Sequence, residues 1–132
     1  MSRPVLAIDP GREKCGVAVL AAGGSILTQE IVATAALADA VDTLATAHDP
    51  IIIMGNGTTS TEAQARIEAL GRTVTLVDEY RTTDAAKQLY WEVHPPCGWR
   101  RLVPRGMLVP PVPVDDFVAV ILARRFLNEQ IV

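Results

Sequence analysis

The feature that most constrains the fold is a change of rhythm at Ala35. Before it come three short runs, Pro4 to Ile8 (PVLAI), Gly16 to Ala21 (GVAVLA) and Ser25 to Val32 (SILTQEIV). Asp9-Pro10-Gly11 closes the first and Gly23-Gly24 the second. Short apolar runs separated by tight turn residues predict an antiparallel three-stranded meander. After Ala35 the period lengthens. Leu37, Val41 and Leu44 recur at helical spacing across Ala35 to Ala47, and Pro50 stops that helix. Ile51 to Met54 (IIIM) is the continuous apolar run of a strand buried on both faces. Gly55 to Ser60 is a loop, and Thr59, Ser60 or Thr61 is placed to cap a helix continuing to Leu70. Thr73 to Val77 predicts another buried strand, running into Asp78-Glu79. Thr82 or Thr83 is placed to cap a helix over Asp84 to Glu92.

From His94 to Pro113 the chain holds six prolines and two glycines, which predicts one long loop. Val114 to Leu127 closes the pattern as an amphipathic helix. Asp115 and Asp116 stand in its first turn, where the helix dipole favours acids. The predicted order is β-β-β-α-β-α-β-α-loop-α. It is an α/β architecture with a mixed five-stranded sheet, a meander plus two αβ units, and helices on its faces.

Length and composition narrow the classes. At 132 residues the chain is expected to form one domain, residues 1–132, and 49% hydrophobic content with 20% charge excludes a disordered tract. Two cysteines, Cys15 and Cys97, are too few and too far apart for a disulfide framework or a zinc site, so a reducing cytoplasm is expected. The first apolar run meets Asp9 too early for a signal-peptide core, and no apolar run approaches the ~20 residues of a membrane span. Net charge is −3, so nucleic-acid binding would have to come from a local basic cluster.

Three acids sit at the edges of predicted elements. Asp9 ends the first strand, Glu79 follows the last, and Asp115 opens the final helix. Where sheet strands run parallel, ligands gather at their carboxyl ends, and these carboxylates can meet there. Such a cluster repels itself unless a divalent cation neutralises it. Mg2+ or Mn2+, with a preference for carboxylate and phosphate oxygens, fits that need. Each acid also has a plain alternative: a turn at Asp9-Pro10-Gly11, solvated loop charge at Asp78-Glu79, helix-terminal acids at Asp115-Asp116. Gly55 and Thr58 lie in a strand-to-helix loop that can approach a phosphate or simply make a turn. Arg81 can contact phosphate or neutralise Asp78. The long loop supplies the local basic cluster, with Trp99, Arg100, Arg101 and Arg105 and no acid among them. Arginine recognises phosphate bidentately and an indole stacks on unpaired bases, although Trp91 and Trp99 can equally pack the loop onto the sheet. His48 and His94 are isolated and read as surface or loop residues.

The segments AIDPGREKCGVAVL (7–20), IIIMGNGTTS (51–60), VDEYRTTDAAKQLYW (77–91) and PVPVDDFVAVILARRFL (111–127) resemble, in order and over nearly the whole chain, the YqgF family. That family comprises proposed Holliday-junction resolvases and pre-16S ribosomal RNA nucleases, and shares the RNase H-like fold with RuvC resolvases. The insert HPPCGWRRLVPRGMLVPP (94–111) resembles a branch that includes cyanobacterial members. The resemblance implies a metal-dependent nuclease with Asp9, Glu79 and Asp115 as its catalytic and metal-binding acids. Asp115 rather than its neighbour Asp116 matches the family's acid, since family members often place a small polar residue at the second position. RuvC-type sites carry a further acid three residues beyond the first on the last helix; here that position is Val118. Four-carboxylate metal chemistry is therefore not expected.

The first expectation is cleavage of structured nucleic acid in pre-16S ribosomal RNA processing. The second is resolution of DNA four-way junctions, which needs two paired cuts and hence a homodimer. A third is a nucleic-acid-binding module of the same fold without turnover. A fragment of an actin-like ATPase is disfavoured, because the chain is too short for two lobes enclosing ATP.

Overall fold

The computed structural model describes residues 3–57, 59–104 and 107–131, the side chains of 129–131 excepted. Thr58 and Arg105, both candidate nucleic-acid contacts, lie outside the described residues. Among the described residues, five strands form one sheet in the order β3-β2-β1-β4-β5. They are β1 (Val5–Asp9), β2 (Lys14–Leu20), β3 (Ile26–Ala33), β4 (Ile51–Gly55) and β5 (Val74–Val77). The helices are α1 (Leu37–His48), α2 (Ser60–Glu68), α3 (Thr82–Val93) and α4 (Asp115–Ile131). Strands β1, β2 and β3 pair antiparallel, whereas β1–β4 and β4–β5 pair parallel. This is the predicted meander joined to two αβ units.

Helices cover both faces, and the pleat divides the core accordingly. Val5, Ala7, Ala18, Leu20 and Ile53 face α3 and α4, while Leu6, Ile8, Val17, Val19, Ile52 and Met54 face α1 and α2. Strand β1 lies at the centre, so Val5 to Ile8 are all fully buried and the run is apolar without alternation. Asp9 follows Ala7 by two residues and therefore lies on the α4 side of the sheet.

Several local expectations change. β5 is an edge strand, not a buried one: Thr75 and Leu76 are exposed, because only one side of it has a neighbour. Neither helix cap forms as expected. Thr59 occupies the N-cap of α2 without a side-chain bond, while the Ser60 hydroxyl donates back to the Gly57 carbonyl at 2.7 Å. Arg81, in the left-handed region at φ 56°, is the N-cap of α3, and the Thr82 hydroxyl donates to the Glu79 carbonyl at 2.8 Å. Both hydroxyls brace the preceding loop rather than the helix end. The long loop contains a short 3-10 turn, Gly98–Leu102, and α4 runs on to Ile131.

Candidate functional site

The three acids are assembled by glycines. Asp9 ends β1 and pairs in register with Gly16 of β2. The first turn of α4 rests on that same glycine: a Cβ there would collide with the Asp115 carbonyl. Any side chain at Gly16 would lift the helix away, so the contact places Asp115 above the strand end that carries Asp9. On the other side, Glu79 follows β5 and lays its carboxylate against two more glycines. Cβ atoms added at Gly55 and Gly57 would lie 2.6 and 2.7 Å from its oxygens. The space over Gly55, expected to admit a phosphate, is taken by the Glu79 side chain. The turn bearing Glu79 is held by Thr82, whose N–H and hydroxyl both donate to the Glu79 carbonyl, and by the Asn56 N–H donating to the Val77 carbonyl at 3.0 Å.

Asp9 reports how close the acids are. Its carboxyl is pushed up to about 7, first by burial, then by the negative charge of Asp115, then by that of Glu79. A carboxylate in a low-dielectric position beside like charges resists ionising. Among the described residues, none of the three acids is in an ion pair with Lys or Arg. Also among those residues, no group of three or more His, Cys, Asp or Glu side chains stands close enough together to hold a metal ion. The acids thus share one electrostatic neighbourhood without forming a ready ligand cage. In charge and donor type they fit a hard divalent cation, which takes carboxylate oxygens and lowers the pKa of each carboxyl it binds. Side-chain rotation would have to close the set.

Asp116 is turned elsewhere. Its Oδ2 accepts a bond from Gln29 Nε2 of β3 at 3.0 Å, and its Oδ1 is buried with no partner among the described residues. Val118, three residues beyond Asp115, is buried against the sheet.

The basic candidates separate into two places. Arg81 leaves the Glu79 turn with its guanidinium over the Tyr80 ring, 5.5 Å from the centroid. Arg100 stacks on Trp99 at 5.2 Å in the 3-10 turn, and Arg101 beside it is exposed. Trp99 is 68% exposed, so it does not pack the loop onto the sheet; Trp91, at 4%, is core. Sequence reasoning missed Gly16 and Gln29. Gly16 was detectable once the first hairpin is registered, because it then stands opposite Asp9. Gln29 carried no signal.

An α/β protein with a mixed five-stranded sheet, helices on both faces and acids at the carboxyl ends of parallel strands has the RNase H-like architecture. Among solved structures, T. thermophilus RuvC in complex with Holliday junction substrate matches it with a TM-score of 0.59 and 15% sequence identity, over 97% of this chain and 96% of that chain. No family model matches the sequence. No curated protein matches it either. Among the described residues, no helix is long and apolar enough to cross a membrane.

Proposed function

We propose that residues 1–132 form a single nuclease domain of the YqgF type that hydrolyses phosphodiester bonds in structured RNA with Mg2+ or Mn2+, acting in pre-16S ribosomal RNA processing in the cytoplasm. The observation that carries the reading is Asp9. Its carboxyl is held near 7 by burial, Asp115 and Glu79, and no Lys or Arg is ion-paired with any of the three among the described residues. A structural acid in that position would be expected to have a cationic partner; an acid kept unpaired beside two others is suited to a cation brought with substrate. The four segments resembling YqgF, with the Pro/Arg-rich insert, support the family and the RNA substrate.

Asp9, Glu79 and Asp115 would hold the metal, which when bound activates water and neutralises charge on the phosphate. The chain itself sets the positions. Gly16 fixes Asp115 over Asp9, and Gly55 and Gly57 seat Glu79. Arg100, Arg101 and Arg105, with Trp99 as a stacking surface, would bind the backbone outside the acids, and Arg81 would meet it beside Glu79.

A second reading is resolution of DNA four-way junctions by a homodimer, favoured by the likeness to RuvC in complex with its Holliday junction substrate. Cleavage of labelled precursor RNA and a DNA four-way junction, side by side with Mg2+ and Mn2+, separates the two. RNA cleavage that depends on Asp9 supports the first reading. Paired cuts in the junction alone replace it with the second, and no cleavage of either leaves a binding module.

A further inference from the structure

A cavity of about 670 Å³ opens between α3 and α4, beginning at Arg81, two residues beyond Glu79. Arg81, Lys87 and Arg125 line it, against two acids, Asp84 and Glu92. Three cations against two acids is a local positive excess in a chain of net charge −3. Among the described residues none of the five is in an ion pair. The guanidinium of Arg125 donates to the Tyr80 carbonyl, which ties the cavity to the turn carrying Glu79.

The second observation is Trp91. It lines the same cavity at 4% exposure, and among the described residues its Nε1–H is buried with no acceptor. An orphaned buried donor is unfavourable, so a ligand that supplies an acceptor oxygen is rewarded there. Cations lining the same cavity as a buried indole N–H favour an oxyanion, and guanidinium groups select phosphate in particular.

We infer that this cavity is a phosphate subsite, separate from the acid cluster, which holds a backbone phosphodiester of the bound strand. The identity of the ligand rests on the nuclease reading; the affinity for phosphate does not. Bound there, the strand would be anchored next to the Glu79 turn, fixing where it crosses the acids.

The test uses the two indole N–H resonances, of Trp91 and Trp99, in the ¹⁵N-labelled full chain without divalent cations. The probes are inorganic phosphate and, separately, a short single-stranded oligonucleotide. The expected result is a saturable shift of the Trp91 resonance with both. The Lys87→Gln/Arg125→Gln variant should weaken it about tenfold or more. With the oligonucleotide, the same variant should reduce the salt slope by about 1.4, two phosphate contacts at single-strand counterion density. Lys87→Gln alone and Arg125→Lys, which keeps a donor for the Tyr80 carbonyl, serve if the double variant does not fold. A Trp91 resonance that moves with neither probe, or moves equally in the variants, overturns the subsite. A response to inorganic phosphate alone overturns the backbone assignment. Absence of cleavage together with a responsive Trp91 would remove the nuclease reading and leave the anion site standing.

Discussion

Gly16 lies directly beneath the backbone of Asp115, so close that a Cβ on the glycine would occupy the place of the Asp115 carbonyl. Gly16 is also the register partner of Asp9. One residue without a side chain therefore sets the distance between a strand-end acid and a helix-end acid from opposite ends of the chain.

Gly16→Ala should consequently push α4 off the sheet. The obstructing atoms are backbone and cannot swing aside, so the substitution is expected to destabilise the fold by about 1–3 kcal/mol. Urea unfolding measures it, and an alanine variant as stable as the wild type would show that the helix does not sit on the strand.

Asp9→Asn should stabilise the protein at high pH. The folded carboxyl titrates near 7 against an ordinary 3.8. Between those values the folded state holds a proton that the unfolded chain has released, so stability falls as pH rises through this window. Asparagine removes the penalty. Without divalent cations the variant should exceed the wild type by roughly 2–4 kcal/mol at pH 8, and by nothing from this source below the ordinary carboxyl pKa. Paired unfolding curves at the two extremes decide it; an advantage independent of pH would contradict the assigned cause. The same variant should not cleave.

Asp115→Asn and Asp116→Asn should part company. The first removes a proposed metal ligand and should lose most cation-dependent cleavage. The second keeps an acceptor for Gln29 and should keep most of it. Gln29→Leu, which strands the Asp116 carboxylate, should lower stability by about 1–3 kcal/mol. Val118→Asp would bury a charge in the core and should unfold the chain rather than add a ligand. A dead Asp116→Asn beside an active Asp115→Asn would reverse the two roles.

Gly57→Ala tests the seat of Glu79. Of the atoms near an added Cβ there, those of the Glu79 side chain are the ones in the way, the nearest oxygen at 2.7 Å. That group can move, so folding should be unaffected or improve by ~0.4–1 kcal/mol. Displacing the carboxylate should lower cleavage, by about a hundredfold for a shift near 1 Å. Unchanged turnover would detach Glu79 from the chemistry.

Replacing Arg100, Arg101 and Arg105 with alanine should weaken nucleic-acid binding and flatten its salt dependence, because fewer counterions are released. The dependence of binding on salt, compared with that of the wild type, is the measurement. An unaltered slope would move the binding face elsewhere.

The order of elements was legible because it depends on local periodicity. IIIM between Pro50 and Gly55 and the Leu37-Val41-Leu44 spacing each have one economical way to bury their apolar atoms. The acids were legible as strand-end and helix-end positions, since Asp9-Pro10-Gly11 and Asp115-Asp116 mark boundaries in any fold. The caps at Ser60 and Thr82 were not, because a hydroxyl chooses between a helix N–H and a nearby carbonyl, and the loop geometry decides which is in reach. Nor was the exposure of Leu76, which follows from β5 lying at the sheet edge rather than from its residues. What only the tertiary structure decided is which residues meet. Asp116 is held by Gln29, 87 positions away, Glu79 rests on Gly55 and Gly57, and α4 settles on Gly16. Each depends on close packing between elements distant in sequence, where a few tenths of an ångström separate contact from collision, and local pattern carries no record of that distance.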